Sequence, residues 1–133
     1  QVYPWYLNSY SINGRLNGEQ HADGISSKRH WTSNMVDSKQ MVFMEEDDHR
    51  GWNVNSFILG LSTNRFIDLP AANHSGGDNL GFLDGHVEYW AWLDADLRIR
   101  PKHKPTPTFY FNDPGNLDWP RLNEVFRSWQ RNN

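Results

Sequence analysis

Apolar residues fall along this chain in two rhythms, and each predicts a different kind of element. Met41, Val42, Phe43 and Met44 run consecutively and end at Glu45, which predicts a buried strand over residues 40–45. A second apolar run over residues 56–61 stops at Ser62, Thr63 and Asn64 and reads as another strand. Leu80 to Leu83 and His86 to Trp90 flank Asp84-Gly85, a pair favoured in type I′ turns, so residues 80–90 predict a hairpin. Alternation after the turn puts Val87 and Tyr89 on one face, with His86, Glu88 and Trp90 on the other. The rhythm then changes to helical spacing. Leu122, Val125, Phe126 and Trp129 line one face of a C-terminal helix, with Asp118 as its cap and Pro120 in its first turn.

Between these runs the chain is polar and rich in turn residues. Residues 1–19 read as short strands broken at Asn13-Gly14 and Asn17-Gly18, and residues 20–34 as loop. Pro70 and Gly76-Gly77 mark a loop over residues 65–79, and four prolines keep residues 100–116 extended. No repeat and no convincing linker divides the 133 residues, so one domain is expected over residues 1–133. The expected class is α+β: a twisted antiparallel sheet with long loops and a C-terminal helix.

Composition narrows the function. The net charge of −3 and the scattered Lys and Arg residues give no basic track for phosphates, so nucleic acid is not an expected partner. No run reaches the roughly 18 apolar residues of a membrane span, and the absence of cysteine excludes disulfide and thiol chemistry. Aromatic residues make up 14% of the chain, including seven Trp. Such rings serve buried cores and interfaces, or stack on sugars. Trp52, Trp90 and Trp92 are the candidate interface or ligand aromatics. Trp90 and Trp92 are expected to share a strand face open to a partner element.

Two clusters carry candidate chemistry. Glu45, Glu46, Asp47 and Asp48, with Asn53, supply the hard oxygen donors that Ca²⁺ prefers, though not in the twelve-residue EF-hand pattern. Calcium is therefore the candidate ion, and no cofactor is expected to be required. His74 precedes Asp84-Gly85 by a spacer of nine residues. Pro70 and Gly76-Gly77 let the intervening loop fold back, so His74 is expected to donate to a carboxylate or carbonyl near that turn as a structural clamp. A His74–Asp84 catalytic pair lacks a nucleophile: Ser75 is adjacent but sits in no strand–turn–helix elbow. The six histidines are too irregularly spaced for a zinc site. The chain is not expected to be an enzyme.

The segment from Asp68 to Glu88 resembles the prepilin-type processing-associated His-x9-Asp-Gly domain, a family of pseudopilin-like proteins, on His74, Asp84 and Gly85. Four flanking segments are similar to that family: Ser9-Tyr10-Ser11-Ile12-Asn13-Gly14, the strand ending in Glu45-Glu46, Trp90-Ala91-Trp92, and Asn116-Leu117-Asp118-Trp119. The resemblance implies the globular head of a type IV pilin-like subunit of a pilus-like or type II secretion-like system, working by packing and surface presentation. It implies other pilin-like subunits or secretion machinery as partners. It also implies an extracytoplasmic address (periplasmic, cell-surface or secreted), with inner-membrane anchoring before assembly through an N-terminal helix that this sequence lacks. The alternative is a secreted carbohydrate-binding module using exposed Trp residues, with a glycan as partner.

Overall fold

In the computed structural model, the residues described are 10–14, 16, 38–47, 56–60, 65–99 and 115–126. Among the described residues, seven short strands and two helices follow one another: β1 (Tyr10–Asn13), β2 (Met41–Glu45), β3 (Ser56–Phe57), β4 (Leu59–Gly60), β5 (Arg65–Phe66), β6 (Gly77–Phe82), β7 (Val87–Ala91), α1 (Ala95–Ile99) and α2 (Asp118–Phe126). Five strands form one sheet in the order β3-β1-β2-β6-β7, and β4 pairs with β5 separately. The class is α+β.

The sheet is mixed, which corrects the expectation of a wholly antiparallel one. Strand β3 runs parallel to β1 (Ile12 opposite Ser56), while β1–β2, β2–β6 and β6–β7 are antiparallel. The reason is steric. Both edges of β2 are taken, by β1 and β6, so the chain leaving β2 reverses and docks on the free edge of β1. The run predicted over residues 56–61 also divides. At Ile58 the backbone N–H turns from the ladder and donates to the Asp68 carboxylate at 2.7 Å, so β3 belongs to one sheet and β4 to the other.

One face of the large sheet is the core. Met41, Met44, Leu80 and Phe82 from the strands meet Trp119, Leu122, Val125 and Phe126 from α2. Phe126 packs edge-on against Phe57, and Trp119 against Phe66 with ring centres 5.1 Å apart. The consecutive apolar residues of β2 are sorted to opposite faces by a break in register. Met41 opposes Phe82, but Phe43 opposes Gly81, so a bulge at Val42 turns Met41 inward and Phe43 outward. Helix α2 is fixed at both ends by side chains from elsewhere. Asn116 caps its start, its Oδ1 accepting from the N–H groups of Asp118 and Trp119 at 2.9 Å. At its far end Asn13 Nδ2 donates to the Phe126 carbonyl, and Gln40 Nε2 to those of Val125 and Phe126. Asp118, expected as the cap, instead accepts the N–H groups of Leu93 and Asp94, tying the segment after β7 to the helix. Trp129 lies outside the described residues.

The hairpin forms across residues 77–91, with Asn79 opposite Tyr89 and Leu80 opposite Glu88. Its turn is of a different type from the one predicted. Phe82 O accepts from Gly85 N and Phe82 N donates to His86 O, leaving a three-residue loop of Leu83, Asp84 and Gly85. Gly85 has φ 93° and Asp84 is not at positive φ, the signature of a type I turn closed by a glycine bulge. A type I′ geometry instead occurs at the other end of β6. His74 and Gly77 exchange backbone hydrogen bonds around Ser75 (φ 52°) and Gly76 (φ 82°).

Candidate functional site

The short reversal at Ser75-Gly76 presents His74 to the end of β2. His74 Nε2 lies 3.1 Å from Glu45 Oε2, an ion-pair contact outside hydrogen-bond alignment, and Asn73 Nδ2 reaches the same oxygen at 3.4 Å. Tyr89 donates its hydroxyl to the His74 carbonyl at 2.9 Å, and Trp92 N donates to Gly76 O, so the loop is held from the β7 side too. The histidine is therefore a clamp on the acidic end of β2, and not on the Asp84-Gly85 turn. The strand β6 separates the two: His74 precedes its first residue and Asp84 follows its last. The loop histidine and Glu45, the first residue of the strand-ending acidic pair, meet in space.

The acidic run does not converge. Glu45 and Glu46 are adjacent residues pointing in opposite directions, the first to His74 and Asn73, the second accepting from Ser11 Oγ at 2.8 Å. Both are buried. Among the described residues no three His, Asp or Glu groups come together as metal ligands. Asp48 and Asn53, the other members of the calcium reading, lie outside the described residues, as does Trp52.

A second carboxylate, which the sequence reading passed over, lies beside Glu45. Asp78 has no solvent exposure, and its two oxygens accept from the backbone N–H groups of Glu45 (3.0 Å) and Asn79 (2.6 Å). Burial outweighs those donors, and with the Glu45 charge nearby the carboxyl is pushed up to about 8. The phenol of Tyr10, opposite Glu45 in the register, is raised by burial and by the charges of Glu45 and Asp78. Alternation at Asp78-Asn79-Leu80 was the available signal: an Asp two residues before a core Leu shares its face.

Trp90 and Trp92 do share a side of the sheet, but it is the inner one. Trp92 is buried in the core, with Nε1 donating to the Ala71 carbonyl at 2.7 Å. Trp90 is half-buried, and the Arg121 guanidinium of α2 lies 4.4 Å from its ring centre. The expectation of an open Trp90/Trp92 face is thus corrected: α2 and the loop at Ala71 already occupy it.

The open apolar surface lies on the opposite face. Ile12, Phe43, Gly81 and Val87 form one continuous row across β1, β2, β6 and β7. Tyr10 and Tyr89 stand one row further along. Tyr10, Phe43, Val87 and Tyr89 are each about half or more exposed (50%, 49%, 67% and 51%). Gly81 leaves the row without a side chain of its own, and the Phe43 ring leans over it at 3.9 Å from where a Cβ would stand.

At the hairpin tip His86 sits between two acids. Its backbone N–H and its Nδ1 both meet Asp84 Oδ1, its Nε2 lies 3.1 Å from Glu88 Oε1, and its ring stacks on Phe82 with centres 4.5 Å apart. The hydrogen bond to Asp84 and then that to Glu88 raise the imidazole above its ordinary value. In turn, hydrogen bonds from His86 lower Asp84, and those from Trp90 and His86 lower Glu88. Comparison of the chain with protein-family models, curated proteins and solved structures finds no match.

Proposed function

We propose that this chain is the extracytoplasmic head of a pilin-like subunit, a packing and presentation unit of a pilus-like or secretion-like assembly. The observation that carries the reading is the asymmetry of the sheet. One face is sealed by α2 and a core of large side chains, while the other leaves the Ile12–Phe43–Gly81–Val87 row and two tyrosines uncovered. An open apolar face on a small sheet is a surface to be covered. In the family that the motif resembles, the head sheet packs on the apolar N-terminal helix of the subunit, and the apolar character of this face supports the same arrangement here. The polar clamps around His74, Glu46 and Asn13 support the same reading, because each ties a loop or terminus to the sheet and none presents a reactive group. No reaction is assigned to the chain.

The test is site-specific photo-crosslinking in cells expressing the full gene, with a benzophenone side chain at Phe43 or Tyr89 and a control at exposed Leu117. Crosslinks from the two sheet positions to an apolar helical segment, of the same or a neighbouring subunit, are the expected result. Equal labelling at all three positions removes the proposal's basis. The carbohydrate alternative has less support, since Trp92 is buried and Trp90 carries Arg121 over its ring. Saturable tryptophan quenching by one polysaccharide, lost in Trp52→Ala, would favour that alternative.

A further inference from the structure

Beyond the packing role, we infer that His86 is a proton-operated latch joining the hairpin tip to the start of α2. The argument begins with hydrogen count. A neutral imidazole carries one N–H, yet both ring nitrogens of His86 face carboxylate oxygens, Asp84 Oδ1 on one side and Glu88 Oε1 on the other. Carboxylates only accept at neutral pH, so both contacts are hydrogen bonds only when the ring takes up a second proton from solvent. Among the described residues, Asp84 and Glu88 are the titratable groups in contact with the imidazole, and Phe82 covers its face.

The second carboxylate passes the constraint onward. Glu88 holds His86 through Oε1 and accepts from Trp90 Nε1 through Oε2 at 2.7 Å. Trp90 in turn lies under Arg121, which donates to Asp118 Oδ1 at 2.6 Å and to the Ala91 carbonyl at 3.3 Å. Asp118 closes the chain by accepting the N–H groups of Leu93 and Asp94. His86, just before β7, and Glu88 and Trp90 within it are alternate residues, so the relay runs along that strand to the helix. The charged latch fixes Glu88, and Glu88 fixes the indole. Loss of the proton leaves one carboxylate facing an imidazole lone pair, and that half of the latch opens. With the histidine raised, the closed form is complete below the ordinary histidine value of about 6.5 and is lost as pH rises through the higher folded value.

The experiment is a pH titration followed by nitrogen-correlated NMR, reading the His86 ring nitrogens and the Trp90 indole N–H, the latter assigned with Trp90→Phe. Expected are a His86 midpoint above that of an unperturbed histidine and an indole shift with the same midpoint. Glu88→Gln, which keeps an acceptor for the indole but removes the charge, lowers the His86 midpoint. His86→Asn abolishes the indole titration. A Trp90 signal that stays flat while His86 titrates overturns the latch, as does a His86 midpoint at or below the ordinary value. An indole response unchanged in His86→Asn does the same.

Discussion

Asp78 is an acid placed where ionisation is costly, and its effect on stability has a definite sign. In the unfolded chain its carboxyl loses its proton near the ordinary value of 3.8, while in the fold it holds the proton up to about 8. Between those values the folded state binds more protons, so raising the pH across the window lowers stability. The midpoint of urea unfolding is expected to fall from pH 4 to pH 8, and Asp78→Asn to flatten that slope. His74 is a milder case. Its side chain is 42% exposed while that of Glu45 is 8% exposed, so the ion pair is partly screened. Removing it in His74→Ala is expected to cost about 1 kcal/mol by chemical denaturation. An unchanged midpoint shows that the loop is held by Tyr89 and Trp92 alone. The sequence led to the expectation that His74 ties its loop to the sheet, because Pro70 and Gly76-Gly77 let that loop fold back. Its partner was illegible: a spacing of residues along the chain does not say which neighbouring strand lies beneath a loop.

Elements defined by side-chain rhythm were readable, and those defined by backbone placement were not. The hairpin and α2 follow from alternation and from helical spacing, both local properties. The caps did not follow, since Asn116 and Asp118 are equally good capping residues and only the fold decides that Asp118 bonds Leu93 and Asp94. Replacing Asn116 with Ala is expected to cost about 1 kcal/mol in thermal unfolding, with the loss localised to α2 in hydrogen exchange. Strands β3, β4 and β5 are two residues each, too short for any period to register. Glycines separate two kinds of constraint. At Gly77 a Cβ would clash with the Trp90 carbonyl oxygen and stand 2.9 Å from the Ala91 Cα, both of them backbone. Gly77→Ala must therefore push β7 from β6, at an expected cost of about 3 kcal/mol. At Gly85 the space is open and only the φ of 93° resists substitution, so Gly85→Ala should cost about 1 kcal/mol. Comparing the two unfolding midpoints checks the order.

For the whole molecule, the sequence predicted one α+β unit whose sheet has a buried and an exposed side, but misassigned which side stays uncovered. Trp90 and Trp92 drew attention because tryptophan is large, whereas the exposed row is made of Ile12, Phe43, Gly81 and Val87, contributed by four strands. No local pattern joins such residues; the register does. The interior position of β1, between β3 and β2, has a kinetic consequence. The strand precedes both its neighbours, β2 and β3, in the chain, and its Asn13 bonds the Phe126 carbonyl at the far end of the described residues. The β6–β7 hairpin pairs two strands that are adjacent in sequence and can close in microseconds, so assembly should begin there and β1 should lock in late. Pulsed hydrogen-exchange labelling during refolding should protect the Leu80 and Glu88 amides, a hydrogen-bonded pair of the hairpin, before that of Ile12. The bond from Asn13 to the last turn of α2 would then be a closing contact of the fold, and fraying of that helix would free the strand to exchange early.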